Sequence, residues 1–116
     1  MGTFEHPITL IGPNGSQTLE ALVDTGATFS AFPSPTLERL GVKPFSVIRV
    51  RLANDQIEER RMGQLEATLN GERRPILCLF CPAGSTALIG AHALEAFLLT
   101  VDPIGQRLVP REGLLM

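Results

Sequence analysis

The sequence predicts an all-β domain, a small sandwich or barrel of short strands with one short helix near its C-terminus. Three observations carry this reading. Most apolar residues fall in runs of strand length, Asn14-Gly15 and Asn70-Gly71 punctuate them as hairpin turns, and only brief stretches show helical spacing. With 116 residues, residues 1–116 are expected to form a single domain able to bury its own core. Hydrophobic residues at 44% and charged residues at 19% exclude a disordered chain.

The first hairpin is predicted from Ile8–Ile11, a turn at Pro13-Asn14-Gly15-Ser16, and a return over Thr18–Val23. In that return Leu19, Ala21 and Val23 alternate with Thr18, Glu20 and Leu22, so the strand reaches Asp24 with one buried face. Ser34, Pro35 and Gly41 then mark a helical turn, with Ser34 expected as its cap and Gly41 as its stop. A second hairpin spans Met62–Leu69, Asn70-Gly71 and Arg74–Phe80. Its outgoing arm alternates and its return is nearly all apolar, which makes the return the more central strand. Pro75 belongs near the start of that strand or at an irregularity, because it cannot donate to a ladder. Ala91–Phe97 reads as a helix with Leu94, Phe97 and Leu98 as its buried stripe. The tail reads as a last hairpin, Leu98–Val101 and Arg107–Val109, around Asp102-Pro103-Ile104-Gly105.

A net charge of -2, from 10 basic and 12 acidic residues, lacks the basic footprint of a nucleic-acid binder. Neither a membrane span nor a leader pattern is visible, so the expected product is cytoplasmic, with no membrane partner. Cys78 and Cys81 lie three apart in an apolar run, which on a strand points them to opposite faces. That geometry suits neither a redox pair nor a shared zinc ion. Together with His6 and His92 they form no recognised ligand spacing, so no metal and no cofactor are expected.

Asp24-Thr25-Gly26-Ala27 is the chemically distinctive segment: an apolar strand ends in a carboxylate, then a small hydroxyl residue, then two residues that permit a tight turn. Alone, such a string is an ordinary turn motif. Its context is Ala21-Leu22-Val23 before it, Thr28-Phe29-Ser30-Ala31-Phe32-Pro33 after it, and Ala87-Leu88-Ile89-Gly90 downstream ahead of a helix. In this arrangement the chain, over about residues 8–110, resembles the retroviral-type aspartic peptidases and their cellular and bacterial relatives.

The resemblance implies a closed, barrel-like aspartic peptidase fold assembled as a symmetric homodimer. It further implies that Asp24 is the catalytic aspartate, that the Thr25 hydroxyl bonds across the two-fold axis, and that Gly26 and Ala27 floor the cleft. Ile89 and Gly90 support the catalytic loop, and Ile48–Arg60 forms the flap that closes over an extended peptide, its tip near Ala53, Asn54, Asp55 and Gln56. Phe29, Ile48, Leu52, Ala53, Asn54 and Asp55 are then the expected substrate-binding residues. Such chemistry needs two carboxylates sharing a proton and holding a water. One chain supplies a single suitable aspartate, and a two-fold axis supplies the second. Viral members carry glycines at the flap tip, acidic residues after the catalytic alanine and an arginine after the supporting glycine. This chain has Asn54 and Asp55, then Thr28 and Phe29, then Ala91; its helical turn at Ser34–Leu40 and the hairpin after Leu98 look more like cellular and bacterial members, so viral substrate rules are not expected to transfer. The glycine-free tip leaves a second class open, a peptide-binding or dimerisation module without turnover.

Overall fold

The computed structural model describes residues 3–113. In chain order they form β1 (Phe4–Gly12), β2 (Gly15–Val23), β3 (Ser30–Pro33), α1 (Ser34–Arg39), β4 (Pro44–Arg51), β5 (Ile57–Leu69), β6 (Glu72–Cys81), β7 (Leu88–Ile89), α2 (Ala91–Ala96), β8 (Leu99–Asp102) and β9 (Arg107–Pro110). The fold is mostly β, with two short helices rather than one. Seven strands join in the order β1-β2-β7-β3-β6-β5-β4, and β1 also pairs with β5 through Thr9↔Thr68, Leu10↔Ala67 and Ile11↔Glu66, which curls the sheet back on itself. Strands β8 and β9 form a separate two-stranded sheet.

Turn chemistry sets both long hairpins. Leu69 pairs with Glu72 across Asn70 (φ 53°) and Gly71 (φ 84°), the doubly left-handed turn that Asn-Gly favours. In the first hairpin the turn sits one residue earlier than expected. Gly12 pairs with Gly15, so Pro13 and Asn14 make the loop and the left-handed Gly15 already begins β2. Asn14 is thereby free to donate its backbone N–H to the carbonyl of Leu40 at 3.0 Å, tying the hairpin to the end of α1.

Ser34 is the first residue of α1 and not its cap; Pro33 holds the cap position without a side-chain bond, and Pro35 occupies the first turn, where its missing N–H costs nothing. The C-terminal stop is as expected. Gly41 (φ 85°) donates to Glu38 O and Val42 to Leu37 O, both at 3.0 Å, while the Leu37 and Val42 side chains are buried together in the core.

The apolar run of β6 is explained by two covered faces. Ile76, Cys78 and Phe80 join the main core with Ile8, Leu10, Phe32 and Ile89, whereas Leu77, Leu79 and Cys81 face a smaller cluster built on Ala31, Met62 and Leu79. Full burial of each large apolar side chain contributes about 1.5–3 kcal/mol. Pro75 pairs with Glu66 of β5 in a stretch that β3 does not reach, since β3 meets β6 only from Cys78 to Cys81, so no ladder bond is lost there. Helix α2 buries Ala93 and Leu94, with Phe97 at its end, but Leu98 leaves the expected stripe. It takes the left-handed position after the helix (φ 55°) and stays 39% exposed.

Candidate active site

Strand β7 is two residues long and decides the geometry of the site. It inserts between β2 and β3, parallel to the first through Leu22↔Leu88 and Val23↔Ile89, antiparallel to the second through Ala31↔Leu88. At the end of β2, Asp24 donates its N–H to Ile89 O at 3.0 Å. The chain then turns: Asp24 Oδ1 accepts the Gly26 N–H at 2.9 Å and Asp24 O accepts the Ala27 N–H at 3.1 Å. Oδ1 thus helps to hold the loop. Asp24 is half-buried, and Thr25 and Gly26 are exposed.

The far side of the loop is fixed to the start of α2. Ala91 donates to Ala27 O at 2.8 Å and His92 to Thr28 O at 3.0 Å. Gly90 donates to the hydroxyl of Ser30 at 3.1 Å, and Ser30 is completely buried. A Cβ at Gly90 would stand 2.6 Å from the carbonyl carbon and oxygen of Phe29, so only glycine lets the two segments approach this closely. Phe29 stacks on His92, with ring centroids 5.0 Å apart. The brace therefore consists of backbone bonds, the buried Ser30 hydroxyl and a ring stack.

Beside the loop lies a cavity of about 390 Å³. Gly26, Ala27, Thr28 and Phe29 form one wall, Ala31, Leu79, Cys81 and Leu88 the floor, and the β4–β5 hairpin the cover, through Ile48, Val50, Leu52 and Arg60 among others. Two further depressions, of about 300 and 280 Å³, are bordered by residues remote in sequence from the Asp24 loop, such as Ile11 with Arg73 and Leu69 with Phe97.

Of the substrate-binding residues expected from sequence, Phe29, Ile48 and Leu52 line this cavity. Ala53, Asn54 and Asp55 do not; they form the exposed tip of the hairpin. Asp55 supplies the left-handed residue that glycine provides elsewhere (φ 68°), and the turn closes through Asp55 N–H to Leu52 O at 2.9 Å and Leu52 N–H to Gln56 O at 2.8 Å. Its side chain is 87% exposed and lies 3.8 Å from Arg51. Ile89, expected beside the loop, is wholly buried in the core and acts through its backbone carbonyl.

Sequence reasoning did not single out Ser30, His92 or Arg60. Arg60 was legible in principle, because strict alternation from the hairpin tip puts it opposite Ile48 on the cavity face. Cys78 and Cys81 do face opposite ways, the first into the core and the second into the cavity. Burial pushes the Cys78 thiol up to about 12.

A family model described as aspartyl protease matches residues 7–93, and the chain belongs to that family. The simian foamy virus (mac) protease, known from a solution structure, superposes with a TM-score of 0.54 at 18% identity, covering 77% of this chain and 91% of the viral one. The retroviral protease-like domain of Ddi1 from Leishmania major superposes with a TM-score of 0.60 at 22% identity, covering 95% of this chain and 89% of that domain. At these identities the likeness is one of fold. No curated protein matches the sequence at a significant level.

Proposed function

We propose that the chain is an aspartic endopeptidase that works as a symmetric homodimer of barrel-like protomers, each contributing Asp24. The observation that carries this reading is the braced Asp24-Thr25-Gly26 loop, in which Asp24 is half-buried and Gly26 and the residues after it line a cavity that a β-hairpin covers. Exposure of Thr25 and Gly26 in a loop otherwise held by hydrogen bonds leaves this edge available to a second copy.

In the dimer the two Asp24 carboxylates share one proton across the axis and hold a water between them. The ionised one takes a proton from that water, which attacks the peptide carbonyl. The protonated one polarises the carbonyl oxygen and later passes a proton to the departing amine. No covalent intermediate forms. The strand edges of hairpin and floor hold the substrate extended, so alternate side chains enter the cavity.

Asp24→Asn tests the assignment. The amide keeps the shape and the acceptor for the Gly26 N–H but cannot act as a base. Cleavage of a peptide pool, read by mass spectrometry, is expected to fall by at least about a thousandfold, with the dimer and its circular dichroism retained. Equal cleavage by parent and variant would remove Asp24 from catalysis. Absence of cleavage by the parent, with peptide binding retained, would favour a module without turnover.

A further inference from the structure

We propose that Arg60 determines the specificity of the cleft by binding a carboxylate of the substrate peptide, an aspartate or glutamate side chain that enters beneath the hairpin. The inference rests on the peptidase reading for its substrate, a peptide, but on separate residues for its argument.

The hairpin register places Arg60 opposite Ile48 and Glu58 opposite Val50. Residues directly opposed on antiparallel strands share a face. Ile48 and Val50 pack toward the cluster of Ala31, Met62 and Leu79, so this is the face that looks into the cavity. The other face carries Val47, Arg49, Arg51, Ile57, Glu59 and Arg61, with Val47 57% and Ile57 45% exposed. Arg49 and Arg51 border the cavity from that outer face, and Arg51 pairs with Asp55 in solvent. Arg60 is the cavity's inward-facing cation, its side chain only 19% exposed, against 62% for Arg51 and 45% for Arg61. None of the residues lining the cavity is acidic.

Arg60 is also held ready. One terminal nitrogen is ion-paired with Glu58 Oε1 at 2.6 Å and the other donates to the carbonyl of Glu59 at 3.1 Å, while the Cys81 thiol lies beside the guanidinium. These bonds occupy part of a fork that has five N–H donors, and the rest remain for a bound anion. A guanidinium fixed in advance loses little side-chain freedom on binding, and one shielded from water holds a carboxylate more strongly than an exposed one. Glu58, whose side chain is 41% exposed, is the carboxylate that a substrate must share Arg60 with or displace toward solvent. The cleft therefore selects for acidic peptides. This is the opposite of what a charge from Asp55 over the cavity implies, and Asp55 does not reach it.

The test uses pairs of peptides identical except for Glu against Gln at each position in turn, at low and high salt. Binding is measured on the Asp24→Asn dimer, in which cleavage is expected to be too slow to interfere, and kcat/KM on the parent. At one position the Glu peptide is expected to bind about tenfold more tightly than its Gln twin. Arg60→Gln should abolish that ratio, and salt should shrink it. Glu58→Gln, which removes the competing carboxylate without touching Arg60, should enlarge it, a change that a purely structural role for Arg60 does not produce. Equal binding of the twins at every position, or a ratio unchanged in Arg60→Gln, would overturn the proposal; were Arg60→Gln unable to fold, a ratio unchanged in Glu58→Gln would do so. A persistent preference for Glu without any cleavage by the parent would overturn the peptidase reading and leave the role of Arg60 standing.

Discussion

At the scale of single residues, the two cysteines show how a strand sorts chemistry by parity. Cys78 is sealed in the core, and burial raises its thiol to about 12, from an ordinary value near 9. A folded-state value above the unfolded one gives stability that is present in full below pH 9 and is lost as pH rises from there toward 12. Between those limits the loss is about 1.4 kcal/mol per pH unit, to be seen as a falling urea midpoint. At neutral pH an alkylating reagent should label Cys81 quickly and Cys78 only on unfolding; simultaneous labelling of both in the native protein would contradict the burial. That opposition of faces was readable from the spacing alone. Ser30 and His92 were not, because a hydroxyl accepting from Gly90 and a ring lying on Phe29 depend on segments sixty residues apart being brought together.

At the scale of elements, the hairpins were the legible part of the fold because their turns are written locally. Asn70-Gly71 fell where expected, and the first turn was displaced by one residue because Pro13 fixes the loop's first backbone angle. The hairpin tip over the cavity shows the same logic without glycine: Asp55 tolerates the left-handed backbone through its short polar side chain. Asp55→Gly should therefore leave the hairpin intact. Asp55→Val should destabilise it by about 1–2 kcal/mol. Hydrogen exchange at the Leu52 and Asp55 amides, which close the turn, reads this directly, and equal protection in the two variants would show that the tip is not held by that residue's conformation. Strands β3 and β7 were visible in sequence only as motif context, since neither is joined to a partner by a short turn of the kind that marked the equally brief β8 and β9.

At the scale of the whole molecule, the proposed mechanism makes activity a property of the pair, because each chain offers a single suitable aspartate. Below the dissociation constant of the dimer, each tenfold dilution should lower specific activity about tenfold, in step with the weight-average mass from sedimentation. Activity independent of concentration in a regime where the mass is that of one chain would refute the shared site. The family resemblance was legible over nearly the full chain and implied that Ile89 and Gly90 support the Asp24 loop, whereas the parallel pairing of β7 with β2 that delivers this support was not, because parallel pairing has no local signature. That bracing also orders events in time. The β1–β2 and β5–β6 hairpins close over two-residue turns and form within microseconds in isolation, but Asp24 receives its geometry only when β7 has crossed most of the chain to lie against β2. On refolding, hydrolysis should return later than the far-ultraviolet β signal, and simultaneous recovery would count against this order. In the proposed peptidase, a carboxylate placed only after the hairpins have closed would spare a newly made chain its own chemistry.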